Sequence, residues 1–183
     1  MVELNVQHTT ANPAATTSLA DAGLLTLRVG VGAATTQAGL IKVLDFDTTV
    51  DFMEAGGWRL PQFAAFMVTA AETLSGITLV LGVLTPLAAS AVVAAMVDAW
   101  AVNVSVGTFW SEPFNVPFLI GLGAATLLFT GAGAYSVDAR VFGRTAWPAR
   151  ITVGLLIVAF ATAILTWATL LGTNPIHFTA PTS

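Results

Sequence analysis

The sequence contains no cysteine. A chain without thiols forms no disulfide, ligates no iron–sulfur cluster or zinc ion through cysteine, and has no cysteine nucleophile. Histidine is nearly as scarce, because His8 and His177 lie near opposite ends of the chain. We therefore expect no metal or haem site formed by these two histidines. We also expect no nucleophile–base pair. The sequence therefore predicts no metal site and no catalytic residue set.

Charged residues are also few. They make up 9% of the chain, whereas hydrophobic residues make up 56%. A soluble domain carries about 25% charged residues, so this chain has too few charges to cover a surface that faces water. The net charge of −4 leaves no basic stripe for phosphates. We expect a protein that faces lipid and does not bind nucleic acid.

Long apolar runs are abundant. Each approaches the ~20 residues that a helix needs to cross a bilayer, and all are too long for the strands of a membrane barrel. They predict an all-α integral membrane protein with a four-helix transmembrane bundle and a fifth, C-terminal transmembrane helix. The predicted spans cover roughly residues 22–44, 62–84, 86–106, 116–132 and 149–172.

This pattern divides the chain into three parts. Residues 1–20 form a polar N-terminal tail, residues 21–138 the four-helix core, and residues 139–183 a loop, the fifth helix and a short tail. The long loop after the first span has apolar residues at helical spacing before Gly56 and Gly57. This spacing predicts a short helix in the interface, with Trp58 as an anchor at headgroup level.

Basic residues indicate the orientation. Arg140, Arg144 and Arg150 surround the loop before the last span, whereas Lys42 and Arg59 lie on the other side among acidic residues. Because basic loops favour the cytoplasm, we expect a cytoplasmic N-terminus and an exterior C-terminus in a bacterial plasma membrane.

Three ionisable residues fall inside the apolar runs: Arg28, Glu72 and Asp98. An ionised side chain at the bilayer centre costs at least ~2.5–3.5 kcal/mol. We therefore predict a buried charge cluster in which Arg28 pairs with Glu72 or Asp98 and the two acids share a proton. Such a cluster is either a structural clamp that fixes helix register or a proton or quinone site, and the sequence leaves both open.

Two near-identical segments, "GVGAAT" at residues 30–35 and "GLGAAT" at residues 121–126, match the start of a glycine-rich nucleotide loop. Neither follows a strand, and both lie inside predicted spans. Small residues three or four apart allow membrane helices to approach closely. We interpret both segments as helix-packing surfaces.

Three segments of the chain carry a set of ordered motifs. They are "LRVGVGAATTQAGLIKVLDF", "PQFAAFMVTAAETLSGITLVLGVLTPLAA" and "GAGAYSVDA", and they contain Arg28, Gly39 to Lys42, Glu72 and Gly131 to Asp138. Together these motifs resemble those of the DoxX family of small bacterial membrane proteins. The resemblance implies a four-helix core and association with quinone-linked or oxidative-stress membrane complexes. It implies no catalytic set. The chain departs from the family in having Pro86 where a basic residue often follows the second span, and in its fifth span.

Three functions are compatible with these features. The first is a non-catalytic accessory subunit of a respiratory complex, surrounded by lipid and other membrane subunits, with quinone as the one conceivable cofactor. The second is a quinone-binding oxidoreductase subunit, and the third a small proton-coupled transporter. The polar tails and the aromatic residues Phe52, Trp58, Phe109 and Trp110 are candidates for docking to partners.

Overall fold

The protein is a bundle of helices that run up and down. The computed structural model describes residues 13–104 and 106–171, and the regular secondary structure within these ranges is helical throughout. The predicted all-α fold class is thus confirmed. The helices are α1 (Pro13–Leu44), α2 (Phe46–Ala55), α3 (Pro61–Leu81), α4 (Thr85–Asn103), α5 (Val106–Ser111), α6 (Val116–Thr130), α7 (Val137–Val141) and α8 (Ala149–Thr166), which continues into a π-helical turn (Trp167–Leu171).

The helix ends follow local sequence signals. Proline stands in the first turn of α3, α4 and α6, where its missing N–H leaves no hydrogen bond unmade. The side chains of Asp45 and Asn115 accept hydrogen bonds from the first turns of α2 and α6. Gly82 ends α3 in the left-handed conformation that glycine adopts most readily.

Four helices enclose the core. Helix α1 packs against α3 and α6, and α4 packs against the same two helices, so the four form a closed ring. Helix α8 lies outside the ring against α4 and α6. Because α4 has neighbours on three sides, it contributes more buried residues than any other described helix. The fully buried residues at the centre of the core are Leu79, Ala89, Val92, Ala124, Leu127 and Leu128.

Among the described residues, four helices are long and apolar enough to cross a membrane: residues 19–44, 61–81, 85–103 and 149–170. The predicted fourth span is a shorter apolar helix of 15 residues, α6. Large apolar side chains cover the outside of the bundle; Leu74, Ile157 and Leu165, for example, are each about 60% exposed. This is a multi-pass membrane protein, and the apolar exterior explains how it folds with so few charges.

Helix α1 starts within the predicted N-terminal tail, residues 1–20. Helix α1 begins at Pro13, so residues 13–20 are helical and extend the first span at its N-terminal end. The rest of that tail and the C-terminal tail, with His8 and His177, lie outside the described residues. The predicted short helix in the long loop is confirmed as α2, which packs against α3 through Thr49 and Met53.

The alternation of helix directions assigns the loops to two ends of the bundle. The α3–α4 turn and residues 131–148 lie at one end, which we call the clamp end. Helix α2, α5 and the π-helical turn lie at the other end, the α2 end.

We expect the clamp end to be cytoplasmic, because it carries Arg140, Arg144 and Arg150. Single cysteines at exposed positions 51 and 144 of this cysteine-free chain test the orientation. An impermeant maleimide added to intact cells should label Asp51→Cys and leave Arg144→Cys unlabelled, while both should react after lysis. The opposite labelling on intact cells would invert the topology.

Candidate functional site

Arg28 is fixed at the clamp end of the bundle. Its side chain is 1% exposed, and its guanidinium donates from Nη1 to the carbonyl of Ala132 (2.7 Å) and from Nη2 to the carbonyl of Tyr135 (2.6 Å). Arg28 thereby holds the segment that follows α6 against α1. We call Arg28 together with residues 131–138 the loop clamp.

Asp138 completes the loop clamp from the other side. It is fully buried, and its carboxylate accepts hydrogen bonds from the backbone N–H groups of Leu84 (2.7 Å) and Thr85 (2.9 Å). These groups begin α4, and Leu84 cannot cap the helix with its own side chain. Leu84 also has a positive φ of 45°, which is costly for a residue with a Cβ. A carboxylate at this positive helix end stabilises the strained turn.

The predicted pairing of Arg28 with Glu72 or Asp98 is therefore wrong. The reason is the register in which α1 crosses α3: Gly32 lies against Gly76, and Gly39 lies against Thr73. This register brings Arg28 level with Gly82, about 15 Å along α3 from Glu72. A side chain cannot reach that far, and the loop carbonyls of Ala132 and Tyr135 accept hydrogen bonds from Nη1 and Nη2 instead.

The partner of Glu72 is Lys42. Lys42 Nζ lies 2.6 Å from Glu72 Oε2 and also donates to the carbonyl of Ala38 at 3.3 Å. Glu72 is 3% exposed, whereas the lysine side chain is 27% exposed. Lys42 stands near the end of α1 and extends back along the helix towards the acid. This ion pair offsets the cost of the buried carboxylate in α3.

Beside this ion pair lies a cavity of about 500 Å³. Its walls come from α2, α3, α4 and α8, with Lys42 reaching in from α1. Most of the lining is apolar, and the charged side chains among the lining residues are Lys42, Glu72 and Asp98. The other lining residues are Thr48, Thr49, Phe52, Met53, Trp58, Ala64, Met67, Val68, Ala71, Ala91, Ala94, Ala95, Ala99, Val102, Asn103, Thr162, Thr166 and Leu170.

Asp98 is the cavity residue with an unmet hydrogen-bonding requirement. Its Oδ1 is buried and has no hydrogen-bond partner among the described residues. Counted from the α3–α4 turn, Asp98 lies about 6 Å nearer the α2 end than Glu72. The structure thus separates the predicted charge cluster: Glu72 and Asp98 share the cavity, and Arg28 belongs to the loop clamp.

The end of α8 closes one side of the cavity. Thr166 and Leu170 line it, and the α-helix changes to a π-helical turn at Trp167. The carbonyl of Leu170 accepts a hydrogen bond from the N–H of Arg59, in the connection between α2 and α3, at 2.8 Å. π-Helical turns occur often at functional sites, and this one brings α8 and the α2–α3 connection together around the cavity.

The four aromatic residues proposed as docking anchors have different environments. Phe52 and Trp58 line the cavity, and Phe52 is 59% exposed at its rim. Phe109 stacks edge-on against Trp110 at 5.3 Å between ring centroids, and Trp110 is 81% exposed. Two of the four residues thus belong to the cavity wall and two to the short helix α5.

Residues 23–105 match the model of the DoxX family. These residues are similar to a DoxX domain. No curated protein and no solved structure shows significant similarity to the chain. The match confirms the resemblance from α1 to the end of α4, somewhat less than half of the chain. Residues 131–138 of the loop clamp and the α8 wall of the cavity lie beyond the matched DoxX residues.

Sequence reasoning missed two functional contacts, although both residues stand in the DoxX-like motifs. Lys42 ends the Gly-x-x-Lys segment, and its position near a span end suggested a loop charge rather than a partner for Glu72. Asp138 ends the Gly131 to Asp138 segment, and nothing in the sequence linked it to the start of α4. The cavity also had no sequence signal, because its wall consists mainly of alanine and other apolar residues.

Proposed function

We propose that this DoxX-domain protein is a quinone-binding subunit of a bacterial redox complex in the plasma membrane. The observation that carries the proposal is the cavity beside the Lys42–Glu72 pair. Its volume of about 500 Å³ and its mainly apolar lining with a few polar groups are typical of small-molecule sites. The proposal favours the second of the three functions above, with the ligand between α2, α3, α4 and α8.

The walls suit a flat aromatic head group. Phe52, Trp58, Met53 and Met67 present aromatic rings and polarisable sulfur atoms to the cavity. Such side chains make favourable contacts with an aromatic ring. The exposed apolar rim residues Phe52 and Val102 leave a route by which a lipid-soluble molecule enters from the bilayer.

Lys42 supplies a hydrogen-bond donor for a ligand oxygen. Its ammonium group has three N–H bonds, of which Glu72 and the carbonyl of Ala38 use two. The third remains for a quinone oxygen. In this arrangement Glu72 holds the lysine in place and need not touch the ligand.

Filling the cavity should abolish binding. Ala94 lines the cavity on α4, and Ala94→Trp places an indole in the space for the ligand. We expect its affinity for a radiolabelled short-chain benzoquinone, measured on protein in lipid nanodiscs, to fall roughly tenfold or more. The control is Ala161→Trp on the exposed face of α8, which should bind like the wild type.

The same pair of variants separates this proposal from a purely accessory role. The accessory role is the alternative candidate, and Trp110 favours it. This side chain is 81% exposed, and exposed tryptophan is a common interface anchor. An accessory subunit would show no saturable quinone binding, and its complex would keep its turnover with Ala94→Trp. Equal binding by Ala94→Trp and Ala161→Trp would place any bound quinone outside the cavity.

A further inference from the structure

The unpartnered oxygen of Asp98 indicates which form of ligand the cavity accepts. We propose that the cavity selects the hydroxyl-bearing, reduced form of its ligand, a hydroquinone, and that Asp98 accepts a hydrogen bond from the ligand hydroxyl. This inference rests on the proposed function and deepens it. It makes Asp98 a specificity-determining residue of the site.

The two acidic residues of the cavity differ in the hydrogen bonds that they already make. Glu72 is occupied by Lys42 at 2.6 Å, so its charge is already compensated. Asp98 lines the same cavity, and its carboxylate has a buried oxygen, Oδ1, that has no partner among the described residues. A buried acceptor without a donor is costly, and a ligand that supplies the donor recovers that cost on binding.

The two redox forms of the ligand differ in this property. A quinone presents two carbonyl oxygens, which only accept hydrogen bonds. It can use the third N–H of Lys42, but it leaves Asp98 without a donor. A hydroquinone presents hydroxyl groups, which accept and donate, so one ligand can satisfy Lys42 and Asp98 together. Sites built to hydrogen-bond a hydroxyl group discriminate strongly against analogues that lack it.

In the part of the chain that the structure describes, no neighbouring residue donates a hydrogen bond to that oxygen. Thr162 and Thr166, which line the α8 wall, belong to the same cavity but do not bond Asp98 Oδ1. Trp100, two positions along α4, donates its indole N–H to the carbonyl of Pro113 at 3.0 Å. With none of these residues as donor, a ligand hydroxyl in the cavity is the donor that the inference requires.

Three matched ligands test the inference: a decyl hydroquinone, the corresponding quinone, and the dimethyl ether of the hydroquinone. The ether keeps the ring and both oxygens but has no hydroxyl hydrogen. Binding is measured anaerobically on protein in lipid nanodiscs, by competition with the radiolabelled hydroquinone. We expect the wild type to bind the hydroquinone about tenfold more tightly than either other ligand.

Substitutions at Asp98 identify the residue responsible. Asp98→Leu should lose the preference, so that its affinity for the hydroquinone falls to that for the ether, while its affinity for the ether stays within about twofold of wild type. Asp98→Asn keeps an acceptor oxygen and should retain part of the preference. Because Asp98→Asn is nearly isosteric, it tests the inference even if Asp98→Leu does not fold.

Several results would overturn the inference. Equal wild-type affinity for all three ligands would mean that water or another group satisfies Asp98, and the proposed quinone site would remain. An equal loss for all three ligands in both Asp98 variants would assign Asp98 a structural role only. Absence of saturable binding of any of the three to the wild type would overturn the proposed function, and this inference with it.

Discussion

Replacing Asp138 by alanine is expected to destabilise the protein by about 3–5 kcal/mol, because two charge-assisted hydrogen bonds to the start of α4 are lost together. The loss also frees Leu84 from its left-handed conformation. The midpoint of thermal unfolding in mild detergent measures the effect. Asp138→Asn, which keeps one acceptor oxygen, should lose less.

The matched control is Asp47→Ala, which removes an exposed carboxylate from the first turn of α2. It should change the midpoint little. Arg28→Met should be non-additive with Asp138→Ala, because both residues hold residues 131–138, and additive with Glu72→Gln, which lies in the cavity. The loop clamp would be disproved as a stabilising unit if Asp138→Ala and Asp47→Ala had equal effects.

A second large loss of stability is expected when one methyl group is added at Gly32, in the "GVG" segment of α1. A Cβ at Gly32 would lie 2.8 Å from the carbonyl oxygen of Gly76 and 2.9 Å from the backbone N of Val80. Backbone atoms cannot rotate away as a flexible side chain does, so α1 and α3 must separate. We expect Gly32→Ala to destabilise the protein by about 2–3 kcal/mol in detergent unfolding.

Gly30 provides the control within the same segment. A Cβ there would meet nothing within 4 Å, so Gly30→Ala should be neutral or stabilise the helix by up to about 1 kcal/mol. The two substitutions add the same atoms two positions apart. Equal effects would show that close contact between α1 and α3 does not contribute to stability, whereas opposite signs are expected.

The sequence predicted the helices well, because hydropathy and length depend on the solvent rather than on partners. The interpretation of both glycine segments as packing surfaces is confirmed: Gly32 lies against α3, and a Cβ at Gly123 would meet Val31 of α1 at 2.7 Å. The observed α3, Pro61–Leu81, agrees with the predicted span 62–84 to within three residues at each end. These signals are local, and each acts within a few residues.

The candidate site was harder to predict because it depends on how helices are shifted along one another. When the depth of each residue in the bilayer was counted along its own predicted span, Arg28 and Glu72 were close enough to pair. A shift of a few residues between α1 and α3 changes every pairing, and the backbone contact of Gly32 with Gly76 sets that shift. No pattern in the sequence predicts which backbone positions of α1 and α3 come into contact. Lys42, which does pair with Glu72, looked like an ordinary loop cation.

The position of Asp138 has a consequence for the order in which the protein is made. The carboxylate that begins α4 belongs to a residue synthesised 54 positions after Leu84, and the carbonyls that hold Arg28 follow it by 104 and 107 positions. As the chain leaves the ribosome, α1, α3 and α4 therefore precede the groups that complete their ends. The segment matched by the family model stops at residue 105, before those groups. The segment recognised by sequence similarity is thus shorter than the segment that contains all the groups holding the ends of α1, α3 and α4 together.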